Sequence, residues 1–299
     1  MQANDLVVRT SEPPRLRVVP RIREILARRE VLLNLVRKEL KVKYVSSVLG
    51  AVWSLLNPVV FLAVFTFVTR ITGLAVPDFP IYLLSALLGW NLFTTSVTNA
   101  ARSVIDNGNL VKKVAFPREV LPLSSVGVAL VDYVLQMTVL LLFILVIGHH
   151  VPTSAILLFP LAVLALLAFT LALSFLIAAI NVRYRDTQHL LNLGLLVWFW
   201  ITPIVYAEAL VQKHLQPIHV AGTNAFRLYL LNPLADIAIG FHRALYGIET
   251  APDGTPVLAT YTDGTVALLL GAVLVVSLIA LRITWKVFFD LSGDFAEEL

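Results

Sequence analysis

The chain has no cysteine, which excludes disulfides and thiol chemistry. Charge is scarce as well: 14% of its 299 residues are Asp, Glu, Lys or Arg, against about 25% in a soluble domain. The dipeptide Gly-Lys never occurs, so no G-x-x-x-x-G-K-[ST] loop exists to cradle nucleotide phosphates. H-E-x-x-H and G-x-S-x-G are missing too, and with them the usual zinc-protease and hydrolase signatures. Six histidines occur, at 149, 150, 189, 214, 219 and 242. All are expected in connections, and His149-His150 read as wet loop residues, adjacent and poorly spaced for metal. No internal repeat is evident, so an inverted-repeat transporter is not supported. The first 20 residues lack an apolar core before a small-residue site, so membrane insertion is expected to begin with the first apolar run.

What the chain has is apolar length. It is 58% hydrophobic, with mean hydropathy +0.84. Runs of about 20 residues, enough to cross a bilayer, recur near Val48–Val68, Ile81–Ala100, Leu123–Ile147, Ile156–Ile180, Leu190–Tyr206 and Thr265–Ile283. The fifth is the shortest. Nineteen of the 23 Lys and Arg fall on one side of these runs. By the positive-inside rule this predicts six spans with both termini cytoplasmic. The net charge of +4 suits anionic inner-leaflet lipid and is no nucleic-acid signal.

Along the chain, residues 1–20 read as a loose, proline-bearing cytoplasmic tail. Residues 21–46 form a basic amphipathic helix: Ile22, Ile25, Leu26, Leu32, Leu33, Val36 and Leu40 share a face, and Arg23, Arg28, Arg37, Lys38 and Lys41 take the rest. Such a helix lies in the membrane interface, either as an anchor or as a gate. Residues 47–286 make one six-helix membrane domain, and 287–299 a cytoplasmic C-terminal tail. Asn57-Pro58 predicts a kink in the first span. In the long outer connection, Ala207–Leu215 and Arg227–Leu245 are apolar enough for short helices dipping into the outer face, and residues 251–256 read as a turn.

Carboxylates are nearly absent from the spans. Asp132 is the exception, with no basic partner in any span. It reads either as a hydrogen-bonded interior residue or as part of a translocation path. Aromatics are more abundant. Phe61 and Phe65 share a face at i,i+4, and Trp90 and Phe93 lie in the second span. Trp198-Phe199-Trp200 fall mid-span, where a lipid-anchoring belt does not belong, whereas Trp285 and Trp53 read as belt residues. These rings either pack helices or offer flat apolar surface on which a sugar slides. The candidate substrate path is therefore Phe61, Phe65, Trp90, Phe93, Asp132, Trp198 and Trp200. Adjacent helical residues point about 100° apart, so at most two of residues 198–200 can face one channel.

Several stretches together resemble the permeases of ABC-2 polysaccharide and polyol-phosphate exporters, the Wzm, TagG and KpsM group. They are Leu35-Val36-Arg37-Lys38-Glu39-Leu40-Lys41-Val42-Lys43-Tyr44, Ser47-Val48-Leu49-Gly50-Ala51-Val52-Trp53, Asn57-Pro58, and Leu110-Val111-Lys112-Lys113-Val114-Ala115-Phe116-Pro117-Arg118-Glu119. Tyr184-Arg185-Asp186, Thr202-Pro203-Ile204-Val205-Tyr206 and Asn232-Pro233-Leu234 complete the set. Where many relatives have Ser-Pro, this chain has Thr202-Pro203 and keeps the hydroxyl. The resemblance implies an all-α integral membrane fold with an N-terminal interface helix and short outer re-entrant helices. It implies a homodimer in the bacterial inner membrane, paired with two copies of a separate P-loop ATPase (Wzt-like) that holds the ATP and Mg; this chain would carry no cofactor. The cargo would be a lipid-linked glycan, O-antigen-like or a cell-wall galactan; Arg outnumbers Lys 16 to 7, as in GC-rich genomes. Arg28, Arg29, Arg37, Lys38 and Lys41 would belong to a gate helix. Asn109, Leu110, Lys112 and Lys113 would couple to the ATPase, with Arg183, Arg185 and Asp186 as a second contact. The other functions considered are a drug or lipid exporter and an integral-membrane glycosyl- or acyltransferase, for which Glu208, Asp236 and Glu249 are available but scattered.

Overall fold

The computed structural model describes residues 16–45, 50, 52–72, 76–114, 116–220, 222–251 and 254–299. Most of the expected N-terminal tail, residues 47–49, 51 and 115 of the quoted motifs, and residues 252–253 of the expected turn lie outside this set.

Helices α1 (Val18–Ala27) and α2 (Arg29–Tyr44) are separated by a break at Arg28. Then follow α3 (Val52–Thr72), α4 (Phe79–Asp106), the short α5 (Gly108–Lys113), α6 (Val120–Ile147), α7 (Leu158–Arg183) and α8 (Thr187–Ile201). On the far side come α9 (Glu208–Leu215), a small hairpin of β1 (His219–Val220) and β2 (Thr223–Asn224), α10 (Ala225–Tyr229) and α11 (Pro233–Phe241), which runs into a π-helical turn at His242–Tyr246. Helix α12 (Asp263–Leu291) and a last turn α13 (Phe295–Glu298) close the chain.

Five of these, α3, α4, α6, α7 and α12, are long and apolar enough to cross a membrane. The fifth predicted span is not among them, because its helix stops at Ile201. Fifteen residues rise about 22 Å, short of a hydrocarbon core of about 30 Å. The chain nevertheless travels from one end of the bundle to the other here. Helices α7 and α12 run parallel: Ser154, just before α7, donates to Asp263 at the start of α12 (3.0 Å), and Arg183, the last residue of α7, pairs with Glu298 (3.7 Å). Between them α8 returns the chain to the level of Tyr82, whose hydroxyl donates to the Tyr206 carbonyl (2.7 Å). Past Ile201 the backbone is non-helical, and Thr202, Pro203 and Ile204 are buried. Irregular backbone at this depth is tolerated only under such cover.

Helix α4 is the axis of the bundle: 72% of its apolar stretch is buried, against 11% for α3. Its Gly89 allows the α11 residue Phe241 to approach, since a Cβ there would sit 2.7 Å from the ring. Helix α3, kinkable at Pro58, stands at the edge.

Two tryptophan and histidine expectations change. Trp285 is no belt residue. It is buried, stacks on Phe175 at 6.3 Å and donates to Glu119 at 3.3 Å. His149 is not a wet loop residue, because Asp78 Oδ2 (2.7 Å) and the Tyr246 carbonyl (2.8 Å) hold its two nitrogens. Residues 287–299, expected as a tail, continue α12 and fold back, with Phe295 buried against Phe288. Both ends of the described chain meet at the α5 end of the bundle. There Arg21 lies 5.0 Å from the Phe289 ring, and Arg118 donates to the Gly293 carbonyl (3.3 Å).

Candidate functional site

The side chains of α4 sort by helical period. Leu92, Phe93, Ser96, Val97, Ala100 and Ala101 are buried, while Asn91, Thr94, Thr95, Thr98, Asn99, Arg102 and Asp106 look outward. Spacings of three and four put this polar set on one stripe, from mid-helix to the α5 end. Three cavities lie along the stripe. The first, about 560 Å³, opens at the α5 end among Lys38, Lys43, Asn99, Arg102 and Asp106. The second, about 160 Å³, shares Lys43 and Thr95 with it and adds Asn57, Asn91, Asp132 and Gln136. The third is a groove of about 480 Å³ between α3, α4 and α8, which shares Asn57 and Asn91 with the second. Asn91 Nδ2 has no protein partner among the described residues. Sequence reasoning missed this stripe, although its spacing was legible.

The aromatic candidates divide. Phe61 stacks on Phe65 (6.0 Å) and meets Phe199 edge-on (5.9 Å), Phe65 meets Trp200 (6.5 Å), and Trp90 meets Phe199 (5.5 Å). These five rings line the third cavity together with Asn91, Thr94, Thr98 and Asn192. Phe93 and Trp198 do not line it. Phe93 is fully buried and stacks on Phe169 at 5.6 Å. Trp198 points inward, edge-on to Phe93 and Phe169, and its indole N–H donates to Asn232 Oδ1 (2.7 Å). Asn232 also caps α11 by accepting from Leu234 N–H (3.2 Å). Phe199, not among the rings named from the sequence, lines this groove.

Asp132 has partners, and they come from α2 rather than from a span. Lys43 Nζ donates to Oδ2 (2.5 Å) and the Tyr44 hydroxyl to Oδ1. Helix α2 packs along the first half of α6. A Cβ on Gly127 would sit 3.0 Å from Val36, so glycine admits the close approach. One end of the α1–α2 arm is held by Arg21, whose guanidinium donates to both oxygens of buried Glu119 (2.7 Å each). Burial lowers the Arg21 pKa, but the bonds and charge of Glu119 outweigh it and leave the group raised. Arg28, Arg29, Arg37, Lys38 and Lys41 are exposed along the arm.

At the α5 end, Asn109, Lys112 and Lys113 are exposed while Val111 is buried and Leu110 half-buried. Arg183, Arg185 and Asp186 are exposed at the same end. Helix α13 touches both stretches, through Leu299 over Gly108 and Glu298 at Arg183. At the far end, Glu208 Oε1 lies 2.7 Å from His242 Nδ1, and the imidazole stacks on Tyr82 at 3.9 Å. This pair is sealed in and fastens α9 to the π turn. Burial pushes the Asp236 carboxyl up to about 7.

The ABC-2 type transporter family matches residues 30–221. The O-antigen export system permease protein RfbA of Myxococcus xanthus is 37% identical over 80% of this chain and 88% of its own length. Two O-antigen export system permease proteins of Klebsiella pneumoniae are 32% and 31% identical, each over 62% of this chain and 71% of their own length. The matched region holds α2 through α8, and with them all three cavities and both exposed stretches at the α5 end; the chain belongs to the ABC-2 type transporter membrane family.

Proposed function

We propose that the chain is the membrane subunit of an exporter that carries a lipid-linked polysaccharide from the cytoplasm across the bacterial inner membrane. The observation that carries this is the groove of Phe61, Phe65, Trp90, Phe199 and Trp200 with amides and hydroxyls between the rings, in a chain similar to O-antigen export permeases. Flat rings take the apolar faces of sugars, and scattered amides exchange hydrogen bonds without trapping one unit. The chain is a transporter subunit and not an enzyme.

In this reading α8 with residues 202–206 completes a sixth crossing, and both ends of the chain are cytoplasmic. Two copies pair, so that the open side of the groove faces a second copy. Helix α5 and residues 183–186 receive a separate P-loop ATPase, two copies per assembly, which holds the ATP and Mg. The arm α1–α2 covers the cytoplasmic cavity. The cargo is O-antigen-like, with a cell-wall galactan as the alternative.

The test is deletion of the gene in its own cell. Surface glycan should disappear while lipid-linked glycan accumulates inside, and the restored gene should reverse both. Normal surface glycan without internal accumulation would refute the assignment.

A further inference from the structure

The second cavity holds one ion pair among its described lining residues, Lys43 with Asp132, and otherwise amides, hydroxyls and apolar groups. Lys43 lines the first cavity too, so the pair stands where the two meet. Asp132 is buried, and both its oxygens are taken by consecutive residues at the very end of α2. A buried carboxylate stripped of its partners is costly unless water replaces them. The other end of the arm is fixed by Arg21 on Glu119, and the helix is broken between the two fastenings, at Arg28. Midway, Lys38 Nζ reaches Asn107 Oδ1 (3.4 Å) at the mouth of the first cavity. The arm is thus fixed at one end, jointed at Arg28 and clasped at the other end over a passage.

We propose that the clasp of Lys43 and Tyr44 on Asp132 is the closed inner gate: while it holds, the first and second cavities are separate, and its release joins them. Swinging the α2 end outward breaks two hydrogen bonds and admits water, which solvates Asp132 in their place. The gate thereby opens without stranding a charge. This inference rests on reading the three cavities as one transport path.

The absence of cysteine makes the test direct, since one introduced thiol is the only reporter. Full-length protein in inside-out membrane vesicles is treated with a membrane-impermeant methanethiosulfonate. Gln136→Cys reports beyond the clasp and Asn99→Cys reports the first cavity. With the clasp intact, Gln136→Cys should react far more slowly than Asn99→Cys. Adding Lys43→Gln or Asp132→Asn should speed Gln136→Cys about tenfold by populating the open arm, and leave Asn99→Cys unchanged. The exchange Lys43→Asp with Asp132→Lys should restore slow labelling, which loosened packing would not. Equal rates at Gln136→Cys in every background overturn the gate, as does a parallel rise at both reporters. Should Asp132→Asn fail to insert, Lys43→Gln, at a half-exposed side chain, still decides. Labelling needs neither cargo nor ATPase, so a failed export assay with the expected labelling refutes the cargo and spares the gate.

Discussion

Trp198 and Trp200 are two residues apart and have opposite situations. Trp198→Ala removes a packed ring and one of the two hydrogen bonds that Asn232 Oδ1 accepts, leaving the Leu234 N–H cap, so a loss of about 3–5 kcal/mol in stability is expected. Trp200→Ala changes a ring that is 55% exposed; the melting temperature should barely move while export falls. Melting curves and surface-glycan levels of the two variants, side by side, check this, and equal destabilisation would remove Trp200 from the groove. Asp236 makes a pH prediction. Its folded carboxyl titrates near 7 against 3.8 ordinarily, because burial disfavours the charge. The folded state therefore binds the proton more tightly, and stability falls as pH rises from about 4 to 7, by up to ~1.4 kcal/mol per unit, then levels off. Asp236→Asn should flatten that slope in detergent melts between pH 4 and 8; an unchanged slope assigns it to another group. Mid-span position marked the ring cluster as unusual, but not which ring turned inward. That choice depends on Asn232, a partner 34 residues away in sequence.

Among elements, α5 and the α1–α2 arm carry the sharpest expectations. Lys112 and Lys113 are exposed beside buried Val111. Lys112→Glu with Lys113→Glu should leave the fold intact and weaken ATPase docking by several kcal/mol at most. Co-purification with the ATPase and export should fall together, and no change in either removes α5 from the interface. On the arm, Gly127→Leu should wedge α2 off α6, since even a Cβ would press on Val36. Faster protease cleavage within residues 29–44, with the remaining helices still protected, would register it; unchanged cleavage would mean that α2 does not rest there. The arm was legible as a basic amphipathic helix from its spacing. Its direction was not, because the fastenings at Glu119 and Asp132 lie 98 and 89 residues from Arg21 and Lys43, and a one-helix pattern carries no long-range partner. The polar stripe of α4 was legible in its three- and four-residue spacing, but the cavities along it were not, since α2, α3, α6 and α8 supply their other walls.

For the whole molecule, the apolar runs reported most of the architecture, because a bilayer enforces their length. They overstated the fifth span: hydropathy counts apolar residues and is blind to where the backbone leaves the helix, here at Thr202-Pro203. Nucleotide chemistry follows at the same scale. Purified permease should hydrolyse no ATP until its ATPase subunit is added, and turnover by the permease alone would contradict the missing phosphate loop. The short α8 has a further consequence, in the timing of synthesis. It is too short to hold itself across a bilayer, and the acceptor for the Trp198 indole lies 34 residues downstream. At ~5–20 residues per second the ribosome takes about 2–7 s to deliver it. Through that interval the nascent chain must keep α8 at the insertion machinery, unseated, until α11 arrives to fasten it. Nascent chains stalled before Asn232 should therefore leave cysteines introduced within residues 187–201 open to a water-borne thiol reagent, and chains stalled beyond α12 should not.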